Sequence, residues 1–143
     1  MKIILLFSLL INIYLGLVAK DHAPKKLCKS FNECITLAEK TDIHRKKISL
    51  YDEALVLVSD KDGISKKTKV NLLRANSLIR EANGDTGYKG DLALKVTHKP
   101  EYKKAQYTKA NTDLLIVQDH KAELSASELK LFEELQGMIE SEK

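Results

Sequence analysis

Beyond its first nineteen residues the chain has no convincing alternation of apolar and polar side chains, no histidine pair at metal-binding spacing, no large surplus of one charge and only two cysteines. Without strand alternation, sheet folds are excluded and helical ones remain. His22, His44, His98 and His120 form no His-x-x-x-His or Glu-x-x-His pair that would set two ligands on one helix face, so no metal site is expected and each reads as a surface residue. The segment DKDG, residues 60–63, fails as a calcium loop. With Gly63 aligned to the invariant glycine, Val58 falls at the first ligand position and Lys69 at the bidentate carboxylate position. The segment GDTGYKGD, residues 84–91, lacks the Gly-Lys-Ser/Thr ending of a phosphate loop and follows a helix instead of a strand, so it reads as a solvated turn. Serine, histidine and aspartate are present, but no strained turn marks a nucleophile. These absences exclude the common enzyme classes and give no reason to expect a cofactor.

Charge is nearly balanced. The chain carries 24 basic and 20 acidic side chains, and only Lys2 among them lies in the first nineteen residues, leaving 23 against 20. The two signs interleave, which is the pattern of a solvated surface and not of a nucleic-acid footprint.

What is present begins at the N-terminus. Met1-Lys2 precedes IILLFSLLINIYLGLVA, seventeen residues from Ile3 to Ala19 without a charge, followed by the polar KDHAPKK. A basic start, an apolar middle and a small residue at the end make a secretory signal, with cleavage expected after Ala19 despite the large Leu17. The competing reading is an uncleaved anchor, for which the run is short and interrupted by Ser8, Asn12 and Gly16, against the roughly twenty apolar residues a span needs. Lipid attachment at Cys28 is disfavoured by the Lys25-Lys26-Leu27 that precedes it. The expected organisation is therefore a signal peptide at 1–19, an N-terminal segment at 20–29 and a helical domain at 30–143, exported to the periplasm or secreted.

Export places Cys28 and Cys34 where a nearby pair is oxidised. On one continuous helix, six residues would separate them by about 9 Å along the axis. Ser30-Phe31-Asn32-Glu33 removes that objection: it reads as a capping box that leaves Cys28 outside the helix and Cys34 in its first turns. A Cys28–Cys34 disulfide is expected, the alternative being two reduced thiols.

Six helices are expected after the signal. The first, from Ser30 to about Lys40, carries Phe31, Cys34, Ile35 and Ala38 on one stripe. The second follows Asp42, with Ile48, Tyr51, Leu55 and Val58 aligned and Ala54 beside them. Ser65 opens the third, where Leu72, Ala75, Ile79 and Ala82 form a face that Val70 and Leu73 widen, so two neighbours are expected to cover it. A short helix around Tyr88 to Val96 is weakly patterned. Pro100 opens a fifth with Tyr107, Ala110, Leu114 and Val117, and Ser125 with Glu128 caps a sixth carrying Leu129, Phe132, Leu135 and Ile139. Short turns would fold these into three antiparallel hairpins.

Arg74-Ala-Asn-Ser77 recurs as Lys109-Ala-Asn-Thr112, thirty-five residues on. The segment LLRANSLIREANGD resembles the first helix of a tetratricopeptide repeat, with Ala75 at its small position, Leu78 at its aromatic position and Gly84 at its turn. The segment IHRKKISLYDEALVL, residues 43–57, is similar to the second helix, through Tyr51 and Ala54. The first two units are forty residues apart, Asp91 falls where a small residue belongs, and the third unit keeps little beyond residues 109–112 and Ala122. The resemblance implies an all-α fold of antiparallel hairpins stacked as a short solenoid, the alternative being a six-helix bundle. It further implies a non-enzymatic module that binds a peptide or partner protein, with Arg74, Asn76, Arg80, Asn111 and Gln118 as groove-lining candidates and self-association supplying missing repeats. A compact secreted bundle acting as ligand carrier, surface antigen or effector is the alternative. Contact with a membrane is expected only through the signal segment. Intact mass of the exported protein is expected to start at Lys20; a full-length chain retained in membranes would refute cleavage.

Overall fold

A computed structural model describes residues 26–59, 63–89 and 96–142. The expected signal at 1–19, residues 20–25 with His22, Asp60-Lys61-Asp62 and residues 90–95 of the expected fourth helix lie outside them. Among the described residues every regular element is helical: α1 Phe31–Glu39, α2 His44–Leu57, α3 Gly63–Ala82, α4 Pro100–Asp119 and α5 Ala126–Ser141, with one 3-10 turn at Lys121–Glu123. Tyr88, Lys89 and Val96, the described part of the expected fourth helix, are non-helical.

The helix ends follow local chemistry. Ser125 forms a complete capping box with Glu128 at the start of α5. At α1 the expected box is displaced by one residue: the Ser30 hydroxyl accepts from the Glu33 amide at 3.2 Å, but the Glu33 carboxylate accepts from the Lys29 amide at 2.7 Å and not from Ser30. Pro100, whose missing N–H costs nothing in the first turn, opens α4. α3 ends in a Schellman motif. The Gly84 amide donates to the Glu81 carbonyl and the Asp85 amide to the Arg80 carbonyl, both at 3.0 Å, with Gly84 at φ 81°.

The expected disulfide is present. Cys28 and Cys34 are bonded with their Cα atoms 5.2 Å apart, both buried. It holds the chain entering α1 against the helix, and the Leu27 amide continues the attachment by donating to Glu53 of α2 at 2.7 Å.

Residues 40–43 fold α1 back on α2, α2 packs on α3, and α3 makes its most extensive interface with α4, while α5 lies across both α3 and α4. Two apolar clusters result. One joins α3, α4 and α5 around Leu72, Ala75, Ile79, Ala110, Leu114, Phe132 and Leu135; the other joins the disulfide, α1 and α2 to Val70 of α3. α3 therefore serves both clusters, as its wide apolar face leads one to expect. Every stripe residue expected on α4 is buried, and so are Phe132, Leu135 and Ile139 of α5. On α2 the stripe is shifted: Leu50 is buried with Tyr51 and Ala54, whereas Ile48 is only partly covered and leans on the other cluster.

Ala75 and Ala110, the matching positions of the recurring motif, are both fully buried in the α3–α4–α5 cluster. A larger side chain at either must push the two most closely packed helices apart. Ala122, by contrast, is exposed in the 3-10 turn. Ala75→Leu is expected to destabilise the fold by about 1–3 kcal/mol through overpacking. A thermal melt unchanged by that substitution would remove Ala75 from the interface.

Candidate functional site

The C-terminal third of α3 concentrates the polar chemistry of the molecule, because Arg80 and Glu81 leave the helix on neighbouring faces. Glu81 points inward and is almost completely buried, yet it is well satisfied: Arg45 of α2 donates to its Oε1 through Nε at 3.2 Å and Nη2 at 2.8 Å, and the Tyr102 hydroxyl donates from 3.4 Å. His98 Nε2 lies 3.9 Å from the same oxygen, buried and without a hydrogen-bond partner, its ring stacked against Tyr102 at 4.4 Å between centroids. Arg80 points outward, donating from Nε to Asn76 Oδ1 at 3.2 Å and from Nη1 to Asp85 Oδ2 at 3.3 Å.

Loop 83–89, which the Schellman motif turns away from α3, docks against the start of α2. The His44 amide, one of the helix's four orphan donors, donates to the Thr86 carbonyl at 3.1 Å. His44 Nε2 faces Asp85 Oδ2 at 3.5 Å, and Lys89 pairs with Asp42 at 2.6 Å. Gly87, at φ 76°, approaches the Asp42 carbonyl so closely that a Cβ would overlap it. The glycine-rich segment is thus a packed connection and not the freely solvated turn its composition suggests. His44 is buried as well and His98 is half-buried with its Nε2 covered, correcting the expectation that they lie on the surface.

The outer wall of this loop, the end of α3 and the middle of α5 enclose an open cleft of about 550 Å³. Ile79, Leu135 and Met138 supply its apolar floor; Asn76, Arg80, Asn83, Asp85, Tyr88 and Glu134 supply a polar rim. Of the five groove candidates, Asn76 and Arg80 meet here. Asn111 lines a separate cleft between the ends of α4 and α5, and Gln118 accepts from Gln136 at 3.4 Å on a different surface. The four positions therefore do not share one groove, because α4 turns its 111 and 118 positions toward α5 and not toward loop 83–89.

Arg74 is half-buried and committed to two carboxylates of the protein. It meets Asp113 of α4 side on, Nε to Oδ2 at 2.8 Å and Nη2 to Oδ1 at 2.5 Å, and reaches Asp52 of α2 with Nη1 at 2.6 Å. The Asp113 side chain is wholly excluded from solvent while Arg74 keeps 23% exposure. Its bond to Asp113 holds the guanidinium firmly protonated, and burial pushes the Asp113 carboxyl upward against the pull of Arg74. The repeat resemblance made Arg74 a groove-lining candidate and passed over Asp113 entirely; an acid among Ala110, Leu114 and Val117 was the available signal.

Among the described residues no group of histidine, cysteine and carboxylate side chains is disposed to hold a metal ion, and no helix is long and apolar enough to cross a membrane. The fold and cleft define a small all-α protein closed at its N-terminal end by a disulfide. The chain matches no protein-family model, no curated protein and no solved structure.

Removing Arg74 leaves Asp113 buried without its counter-ion, whereas removing Asp113 leaves a half-buried Arg74 with Asp52 alone. Asp113→Ala is expected to cost about 3 kcal/mol, the lower end for a buried pair because Arg74 is partly exposed and retains Asp52. Arg74→Met with Asp113→Leu together should be milder than either alone. Denaturant unfolding of the two single variants and the double variant checks this, and additive losses would disprove the coupling.

Proposed function

We propose that the chain is an exported, non-enzymatic, tetratricopeptide-like module that holds a segment of a partner protein in the cleft between the end of α3, loop 83–88 and α5. The observation that carries this reading is the cleft's composition: an apolar floor of Ile79, Leu135 and Met138 under a rim of mixed charge, the pattern of a recognition surface. On the rim Arg80 is paired with Asp85 and Asn76, which fixes the orientation these groups present to a ligand. The Cys28–Cys34 bond supports an oxidising compartment, in keeping with the N-terminal signal. Burial of Ala75 and Ala110 in one interface supports repeat-like stacking of α3 on α4. The compact-bundle alternative, a carrier or effector, draws on the dispersal of the polar candidates over several small clefts.

Selection of peptides from a random displayed library against the oxidised protein tests the module. Met138→Lys is expected to abolish binding of selected peptides, and Asn76→Ala to weaken it while changing stability by less than about 0.5 kcal/mol. Asn111→Ala, in the other cleft, should leave binding intact. Peptides that bind the Met138→Lys variant as well as the parent would refute the cleft as the site.

A further inference from the structure

One side of the cleft wall rests on a histidine. Loop 83–89 supplies Asn83, Asp85 and Tyr88 to the rim, and its far side rests on the first residue of α2, His44. That side chain is 11% exposed, with Nε2 facing Asp85 and Nδ1 buried without a hydrogen-bond partner. Charged groups approach it from each direction: Asp85 from the loop, Arg80 from α3, Lys47 from α2 itself and Asp42 from the preceding turn, the last engaged by Lys89.

A neutral imidazole suits this place. A proton on Nδ1 would create a buried donor with no acceptor and put a positive charge at the positively polarised end of α2, beside Lys47 and Arg80. Asp85 opposes that cost, but it already accepts from Arg80 and from the Gly87 amide at 3.0 Å. We propose that His44 is a proton-released latch on the cleft wall: neutral, it lets loop 83–89 dock on α2; protonated, it frees the loop and remodels the rim. Burial, reinforced by Lys47 and Arg80 and opposed by Asp85, holds His44 below the usual histidine value of 6.5. The docked state therefore takes up a proton less readily than the released state, so docking is fully stable above 6.5 and weakens as pH falls below it.

The functional consequence rests on the cleft being the partner site, whereas the latch is tested with no partner present. Amide exchange of the whole protein, followed by NMR from about pH 7.5 to about pH 5 and corrected for intrinsic rates, reads the bond from residue 44 to Thr86 directly. Protection there and at Gly87 is expected to fall by up to about tenfold per pH unit as His44 titrates, while core amides of α3 stay protected. His44→Gln, which keeps a donor toward Asp85 and takes no proton, should hold the loop docked throughout. His98→Gln should leave the transition in place. Unchanged protection in the parent, a transition surviving in His44→Gln or lost in His98→Gln, or parallel loss in the core would each overturn the latch. A pH-dependent loop in a protein that selects no peptides would keep the latch and refute the binding site instead.

Discussion

The bidentate ion pair between Arg74 and Asp113, extended to Asp52, is the constraint around which the helices are arranged. It joins the three helices whose packing defines the middle of the molecule, and it sits between the two apolar clusters. Apolar contacts alone would permit α3 and α4 to slide by a turn, since Leu, Ile and Ala recur along both. A buried carboxylate that must meet one guanidinium in one geometry forbids the slide. Ala75, one residue beyond Arg74, and Ala110, three before Asp113, then fall into the same interface, which explains why small side chains are required there.

From that registry the end of α3 acquires its position. The Schellman turn at Gly84 sends the chain back toward α2, Gly87 brings it against the Asp42 carbonyl, and the His44 amide receives the Thr86 carbonyl it would otherwise lack. Tyr107 of α4 ties the same turn to the core through a 3.0 Å bond to Asn83. The loop is thereby one body with two sides, docked on α2 and open to the cleft. Any group that alters its docking alters the cleft rim.

Much of the fold was legible in the chain. Helical periodicity located all five described helices, the α3 face that serves two clusters, and the buried stripe of α4. Serine followed by glutamate three residues on located two helix starts, and Ser30 between the cysteines made their bond geometrically reasonable. These are local signals, written in a few consecutive residues and enforced by backbone hydrogen bonding and side-chain spacing.

The candidate site was legible only in part, because it depends on residues far apart in the chain being brought together. Asn76 and Arg80 were found through their place on α3, but the rim they share with Asp85, Tyr88 and Glu134 exists only once loop 83–89 and α5 are in place. Arg74 lies six residues before Arg80, about 120° around the helix; its ion pair was decided by Asp113, thirty-nine residues away. His44 and His98 carry no sequence mark of burial and owe it to the folding of the loop and of residues 96–99 over the end of α3. Periodicity determines which face of a helix turns inward, so the sequence by itself settled the helices, their caps and their cores. Which charges become partners depends on how those faces are brought together, and that was decided by the tertiary structure alone.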